Sequence, residues 1–360
     1  QHPAQPTDLA HQVGRRDDRR GRGMTGSLRG TVAGLGAWVV AFALLWFVPG
    51  NVDRGTQELL LNLLIWVGVA QAWNVIGGIG GQLSLGQSVF VGAGGYTVAM
   101  LLLKADLSWP IALVAGGVLS AVLAWLVAFA LLRLSGVYFT IGSSALALIA
   151  LAWMVTWEWT GESRGLTVPL DAVPDREQKF RVTAFLAVFA CVVVFLMLRS
   201  TFGLRLMAVR DDEGAASALG VSAQQVKRRA FVISAFLTGL MGGAVSLNQV
   251  YVEPNSMFGL TWVVTALVMV IVGGLGTTEG PVIGAFVIYY LVDRSLEGEP
   301  VLQAILSGVL VIAVIVLAPR GIAGVLRSLL ATAAGAISRR RTQRPDLPRL
   351  EAVAGQSPRD

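Results

Sequence analysis

Long apolar runs separated by short polar segments dominate this sequence. Apolar runs of about 18 residues or more are typical of helices that cross a membrane. About ten such runs occur, at roughly 31–48, 58–76, 87–103, 109–132, 137–158, 182–198, 230–250, 260–275, 281–293 and 301–318. The ninth is short for a full crossing, so a re-entrant segment is the alternative there. The pattern predicts an all-α, polytopic integral membrane protein with about ten transmembrane helices.

The composition agrees with this class. Of the 360 residues, 54% are hydrophobic and only 14% are charged, whereas a soluble domain has roughly 25% charged residues. Cys191 is the only cysteine and lies in an apolar run, so we expect it to be a buried apolar side chain. Both histidines lie in the N-terminal tail. We therefore predict no metal site, no cofactor and no catalytic residue, and hence a protein that is not an enzyme.

Lysine and arginine placement predicts the orientation. With ten spans and a cytoplasmic N-terminus, the inside segments contain 21 of the 28 Lys and Arg residues and the outside segments contain seven. Cytoplasmic loops of membrane proteins are enriched in these residues, so we predict that both termini are cytoplasmic. The predicted organisation is a basic, disordered tail (1–28, unless Met24 is the start), a transmembrane domain (29–320) with a cytoplasmic loop at 199–229, and a basic C-terminal tail (321–360).

The predicted spans have no Asp, Glu, Lys or Arg in their interiors. Ion-coupled carriers, pumps and voltage sensors usually need such groups inside the membrane, so this pattern argues against those classes. None of the three lysines, Lys104, Lys179 and Lys227, follows a glycine, so the chain lacks the Gly-Lys pair of an ATP-binding phosphate loop. If ATP drives transport, the ATPase is another polypeptide.

The 199–229 loop is a polar island between apolar runs. Residues 211–219 are suited to a short helix, because acidic residues stand at its start and Gly220 stands at its end. Its alanines are small enough for a partner to approach closely. The alternative is an ordinary connector helix.

Glycine is concentrated in residues 77–95 and again in 273–284. Glycine permits close helix packing and broken helices, and a broken helix at membrane depth is tolerated where it lines a cavity. Polar groups nearby are then candidates for hydrogen bonds to a solute, and packing glycines are the alternative. The candidate pathway residues are Asn74, Gln82, Ser84, Gln87, Tyr96 and Tyr138.

Four stretches together resemble the LivM-type branched-chain amino acid permeases of ABC importers. They are residues 203–221, residues 74–96, residues 136–141 with 160–167, and residues 273–284. They occur in the expected order and cover about residues 58–319. Two departures leave the solute open: Gln87 stands where the family has histidine, and residues 161–165 lack the family's asparagine.

The resemblance implies a permease subunit in the cell (inner) membrane that works by alternating access. It implies a second permease subunit, two ATPase subunits and an extracytoplasmic solute-binding protein as partners, together with membrane lipid and no nucleic acid. By position in the motif, the residues implied to dock the ATPase are Arg210, Asp212, Glu213, Ala215, Ala216 and Gly220. The alternatives are the same machine carrying urea or a short amide, and a self-sufficient channel or facilitator.

Overall fold

The structure, a computed structural model, describes residues 30–293, 300–317 and 321–326. Most of these residues are helical. The helices are α1 (Gly30–Gly50), α2 (Arg54–Asn74), α3 (Ser88–Lys104), α4 (Trp109–Leu131), α5 (Val137–Thr156), α6 (Arg176–Arg199), α7 (Thr201–Asp211), α8 (Glu213–Ala218), α9 (Ala223–Gln249), α10 (Pro254–Phe258), α11 (Thr261–Gly273), α12 (Glu279–Ala285) and α13 (Pro300–Leu317), with a further helix at 321–326. Two short strands, β1 (Leu166–Thr167) and β2 (Tyr251–Val252), form an antiparallel pair.

All ten predicted apolar runs coincide with helical structure. Within the described residues, seven helices are long and apolar enough to cross a membrane, and α3, with 17 residues, is shorter. The ninth run is α12 followed by a π-helical stretch, Phe286–Asp293. Ten crossings and cytoplasmic termini therefore stay predictions. The predicted N-terminal tail, 1–28, lies outside the described residues. Of the predicted C-terminal tail, 321–360, the structure describes only residues 321–326, which are helical.

Two helices extend beyond the apolar spans predicted for them. α6 begins at Arg176 rather than at 182, and α9 begins at Ala223 rather than at 230. Each helix extends beyond its apolar stretch by polar turns that the hydropathy pattern does not include.

Aspartates fix the starts of two of the long helices. The Oδ2 atom of Asp53 accepts a hydrogen bond from the backbone N–H of Thr56 at 3.0 Å, and Oδ1 accepts one from the Thr56 hydroxyl at 2.6 Å. Asp175 caps α6 through the backbone N–H of Gln178 at 2.7 Å. These bonds satisfy N–H groups that have no partner within the helix. The hydrogen bonds from Thr56 also lower the pKa of Asp53.

Helices α3, α4 and α9 pack closely at the centre of the bundle. A Cβ atom on Gly94 would collide with the backbone carbonyl of Gly239, and one on Gly242 would collide with the carbonyl of Val91. Small residues let helix backbones approach each other in a membrane protein. For the glycines of α3, the structure therefore supports the packing interpretation.

The bundle has two distinct ends. The first turns of α2 and α6, the last turn of α9 and the β1–β2 pair lie together, and we call this the strand end. There the register pairs Leu166 with Val252, and the Tyr251 hydroxyl donates to the carbonyl of Arg164 at 2.7 Å. The opposite end has α7, α8 and the start of α9, which we call the α7–α8 corner.

Candidate functional site

The predicted helix of the 199–229 loop is present, but it is shorter than predicted and follows another helix. α7 ends at Asp211, and Asp212 has an extended backbone with φ −155° and ψ 107°. The Oδ1 atom of Asp212 accepts a hydrogen bond from the backbone N–H of Ala215 at 2.9 Å. Asp212 is therefore the N-cap of α8 rather than a residue within it.

The C-terminus of α8 is closed by a Schellman motif. Gly220 has φ +83°, a left-handed conformation that glycine adopts without steric cost. The N–H of Gly220 donates to the carbonyl of Ser217, and the N–H of Val221 donates to that of Ala216, both at 3.0 Å. α8 is thus capped at both ends by its own chain.

Contacts within the chain hold the inner face of α8. The Nζ atom of Lys227 on α9 donates to Oε2 of Glu213 at 2.6 Å, and Lys227 is only 8% exposed. Ala216 is buried against Val209 and Ala223. Two predicted docking residues, Glu213 and Ala216, therefore contribute to packing within the chain, and their contact with an ATPase stays a prediction.

The outer face of α8 presents small and apolar groups. Ala215 is exposed, and its contact with an ATPase stays a prediction. Leu219 is 86% exposed, which is the highest value for any large apolar side chain whose exposure the structure describes. The Leu219 side chain therefore projects from the surface beside small residues, and no pocket among the described residues covers it. We call it the apolar knob.

The backbone between α2 and α3 is irregular. α2 continues into a π-helical turn, Val75–Ile79, and residues 80–87 are not helical. Side chains hold this segment in place: the indole of Trp73 donates to the carbonyl of Ser84, the hydroxyl of Thr140 donates to the carbonyl of Leu83, and the N–H of Leu85 donates to the hydroxyl of Ser143, all at 2.9–3.0 Å. Non-helical backbone at membrane depth requires such internal partners.

Asn74 connects this segment to the second glycine-rich segment. Its Oδ1 atom accepts a hydrogen bond from the N–H of Gly276 at 2.9 Å, and its Nδ2 atom donates to the carbonyl of Thr277 at 2.8 Å. Gln71 donates to the carbonyl of Thr278. Because both ends of the Asn74 amide are bonded to backbone, this predicted pathway residue holds a turn in the structure.

The two glycine-rich segments are in direct contact. A Cβ atom on Gly78 would lie 2.6 Å from the backbone nitrogen of Gly276, a distance that real Cβ atoms do not adopt. We call residues 77–81 and 274–278 together the glycine junction. The separate glycine-rich stretches of the sequence are therefore one feature of the fold.

Arg210 joins α7 to the glycine junction. Its Nη1 atom donates to the carbonyl of Gly78 at 3.3 Å, and its guanidinium also pairs with Asp211 at 2.9 Å. The stem of Arg210 crosses Gly81, which has φ +68°, and a Cβ atom there would collide with Cγ of Arg210. One predicted docking residue thus contacts the irregular backbone inside the bundle.

Gln87, at the start of α3, lies in a buried polar network. It is 1% exposed, and its Nε2 atom donates to the hydroxyls of Ser234 at 2.6 Å and Thr238 at 2.8 Å on α9. The Ser234 hydroxyl in turn donates to the carbonyl of Ala72. Gln87 therefore connects α2, α3 and α9 beside the irregular segment 80–87.

Several buried polar atoms in this region have no hydrogen-bond partner among the described residues. They include Oε1 of Gln82, Oγ of Ser84 and Oε1 of Gln87, together with Oγ of Ser88 and Oε1 of Gln71. An unpartnered buried group costs about 1–3 kcal/mol unless water or a ligand bonds it. These atoms are the hydrogen-bonding groups that the region offers to a polar solute.

The two tyrosines of the predicted pathway lie elsewhere. Tyr96 is buried toward the strand end, where its ring packs on Phe258 at 5.8 Å. It is nine residues from Gln87 along α3, which corresponds to about 13 Å. Tyr138 is 73% exposed on α5. The structure does not bring either tyrosine to the irregular segment 80–87, and their place in a solute pathway stays a prediction.

Sequence reasoning missed three parts of this site. Leu219 was overlooked because one leucine in a polar loop has no periodicity, although its position before Gly220 was a signal. Ser234 and Thr238 are four residues apart in an apolar run, the spacing of one helix face, and could have been noticed. The partner of Lys227 could not be inferred, since nothing in the sequence pairs it with Glu213 on another helix.

Comparison with known proteins agrees with this architecture. Residues 55–318 match the family described as branched-chain amino acid transport system / permease component. The chain is 27% identical over 290 residues to the high-affinity branched-chain amino acid transport system permease protein LivM of Escherichia coli K12, covering 72% of this chain and 67% of the relative. The LivM of Salmonella typhimurium LT2 matches to the same extent.

A shorter match extends to another type of permease. The probable branched-chain amino acid transport permease protein LivH of Methanocaldococcus jannaschii is 28% identical over 164 residues, which is 42% of this chain and 51% of the relative. No solved structure matches the chain. The family match covers well over half of the sequence and includes six of the seven apolar helices. The chain therefore belongs to the family of branched-chain amino acid transport system permease components, and it is a multi-pass protein of the cell membrane.

Proposed function

We propose that this chain is the permease subunit of an ATP-binding-cassette importer for branched-chain or similar small amino acids. In this proposal it acts with a second permease subunit, two ATPase subunits and an extracytoplasmic solute-binding protein. The solute class is supported by the family description and by the names of the bacterial LivM relatives. The LivH relative supports a second permease subunit of related sequence.

The observation that carries the ATPase-driven part of the proposal is the form of α8. Its ends are capped by Asp212 and by the Gly220 turn, and its inner face is held by Glu213 and Ala216. The helix thus needs no partner for its own stability, yet it leaves Leu219 bare. A preformed helix with one apolar knob is suited to insertion into a groove of a soluble subunit.

In the proposed mechanism, Arg210 links ATPase movement to the membrane helices. α8 is tied to α9 by the Glu213–Lys227 pair, and α7 is tied to the glycine junction by Arg210. A displacement of α8 would therefore pull on two sites inside the bundle rather than on one flexible loop. Because the glycine junction joins irregular backbone of both halves of the chain, we place the conformational switch of alternating access there.

We also propose that solute passes near the start of α3. Gln82, Ser84 and Gln87 have buried polar atoms without partners there. The two amide oxygens can accept hydrogen bonds from the ammonium group of a solute, and the Ser84 hydroxyl can donate to its carboxylate. The walls are the irregular segment, α5 and α9. Asn74 supports this region by holding the neighbouring turn.

For topology, we propose ten crossings with both termini and the α7–α8 corner in the cytoplasm. The support is the excess of Lys and Arg on that side, 21 against seven, together with helical structure at all ten apolar runs. In this arrangement the 17-residue α3 and the irregular segment before it together count as one crossing.

The experiment that tests this function is transport by the reconstituted complex. Proteoliposomes containing both permease subunits and the ATPases, given binding protein loaded with radiolabelled leucine, should accumulate label only when ATP is hydrolysed. Leucine equilibration by this chain alone, without ATP, would instead identify a facilitator. Urea uptake without leucine uptake would support an ATP-driven importer whose solute is urea rather than an amino acid.

A further inference from the structure

A cavity of about 230 Å³ opens at the strand end of the bundle, far from the glycine junction. The first turns of α2 and α6 and the last turn of α9 surround it. Its lining residues are Gln57, Glu58, Leu61, Arg176, Lys179 and Asn248. Five of the six are polar or charged, which is unusual in a chain that is 54% hydrophobic.

The charges in the cavity are not balanced. Arg176 and Glu58 form an ion pair at 3.2 Å. Lys179 is half-buried, and within the described residues no carboxylate lies within ion-pair distance of its ammonium group. Two cations and one anion leave one positive charge without a counter-ion. Since a partly buried charge interacts more strongly with an opposite charge than it does in bulk water, the cavity favours an anionic group.

The amides in the lining add unused hydrogen-bonding groups. Gln57 is 4% exposed, and its Nε2 atom makes only a 3.4 Å bond to the carbonyl of Arg176. Nothing in the described structure donates to its Oε1 atom, and the half-buried side chain of Asn248 makes no hydrogen bond to a described residue. Neither amide is among the fully buried polar atoms that lack a partner, so both can reach the cavity and bond water or a polar ligand there.

We propose that this cavity binds the carboxylate group of a small solute, with Lys179 as the counter-ion and the amide of Asn248 as a hydrogen-bond donor. The volume is below the range of about 300–1,000 Å³ that is typical for drug-sized ligands. Taking the solute to be an amino acid rests on the proposed function. Its ammonium group then lies against Glu58, and its side chain lies against Leu61, the only apolar lining residue.

The site lies at the strand end, which the proposed topology places outside the cell. A solute released by the binding protein would meet it before it reaches the glycine junction. A carboxylate on the surface of the binding protein is a second source of the same chemistry. The experiment must therefore include an arm without binding protein.

The direct test is equilibrium binding of radiolabelled leucine to the purified permease pair in nanodiscs, with no binding protein and no ATP. We expect saturable binding. 4-Methylpentanoate, which has the carboxylate but no amino group, should compete, whereas leucinamide, which lacks the carboxylate, should not. Absence of saturable binding, or equal competition by leucinamide, would overturn the proposal. If a carboxylate-bearing peptide from the binding protein bound while leucine did not, the cavity would be a protein contact instead.

Variants identify the cavity as the place of binding. Lys179→Met removes the charge at nearly constant length and should weaken leucine binding by at least about tenfold, the loss expected for one charge-assisted hydrogen bond. Lys179→Arg should recover most of it. The matched control is Arg181→Met, because Arg181 is on the same helix but pairs with Glu177 and does not line the cavity. Equal binding by the Lys179→Met and control variants would overturn the assignment.

The same preparations separate this inference from the proposed function. Normal ATP-driven leucine uptake with no binding to the isolated permease pair would refute the cavity site and leave the function intact. Carboxylate-dependent binding without ATP-driven uptake would support the cavity site and refute the proposed function. Size-exclusion profiles of each variant show whether the permease pair has assembled.

Discussion

Asn74 and Gly276 are 202 positions apart, yet the side-chain oxygen of Asn74 accepts the backbone N–H of Gly276 at 2.9 Å. The same amide donates to the carbonyl of Thr277 at 2.8 Å. One side chain at the end of α2 thereby fixes the turn between α11 and α12. Two interrupted helical regions, one from each half of the chain, are therefore in direct contact. Arg210 on α7 donates a hydrogen bond to the same place.

The first prediction concerns this contact. Asn74→Ala leaves the part-buried N–H of Gly276 and carbonyl of Thr277 without partners, at up to about 1–3 kcal/mol for each group. We expect a lower melting temperature for the purified permease and strongly reduced uptake. Asn62→Ala is the control, because the Asn62 amide donates only to the carbonyl of Glu58 on its own helix. Equal stability and transport in the two variants would show that the contact is dispensable.

The second prediction concerns coupling through Arg210. Arg210→Gln removes the charge and the reach to Gly78, so we expect the ATPase to bind and hydrolyse ATP while less solute is moved per ATP. Gly81→Ala should act similarly, because its Cβ atom would collide with the arginine stem and its φ of +68° would be strained.

The control for this prediction is Arg205→Gln, since Arg205 is an exposed arginine on the same helix. The measurement is the ratio of leucine accumulated to phosphate released in proteoliposomes. An unchanged ratio in Arg210→Gln would contradict the proposed link. Loss of ATPase binding in that variant would instead give Arg210 a purely docking role.

The third prediction concerns the apolar knob. Leu219→Asp places a charge where we expect a buried apolar contact, so the ATPase should no longer co-purify with the permease. Leu219→Ala should weaken association by about 1–2 kcal/mol or more, as at the centre of other interfaces. Leu170→Asp is the control, since Leu170 is 76% exposed in the loop before α6. Co-purification that survives Leu219→Asp would exclude this residue from the interface.

The fourth prediction concerns the Gln87 network. Gln87→Leu keeps the volume but removes the donor to the hydroxyls of Ser234 and Thr238 and the free oxygen. We expect slower leucine uptake with ATP hydrolysis still stimulated by loaded binding protein. Gln249→Leu, at the exposed end of α9, should transport normally. If Gln87→Leu uncouples hydrolysis from uptake instead, the network belongs to the coupling mechanism and not to the solute path.

The fifth prediction concerns topology. Cys191 is buried, so the native protein should not react with a membrane-impermeant maleimide. A cysteine replacing Arg164 near the strand end should be labelled on intact cells, whereas one replacing Ser217 on the exposed side of α8 should be labelled only after the membrane is opened. The reversed pattern would invert the proposed orientation.

Much of the fold was determined by local patterns in the sequence. The apolar runs located every long helix because about 18 apolar residues in a row favour only a buried or membrane-spanning helix. Asp212 and Gly220 located α8, since N-cap acids and left-handed glycines act within a few residues. The first turns of α6 and α9 lie outside the predicted apolar spans because polar helical turns have no hydropathy signal.

The site itself was decided by tertiary structure. Asn74 was predicted as a pathway residue and Arg210 as a docking residue, but the partners of both lie more than a hundred positions away in the glycine junction. The sequence showed two glycine-rich stretches but could not show that they are in contact. Glycine permits another backbone to come close, but it does not determine which backbone does so. The bare position of Leu219 likewise depends on which face of α8 packs on α9. The sequence by itself determined the helices and the membrane class, whereas the three-dimensional packing alone determined which polar groups meet.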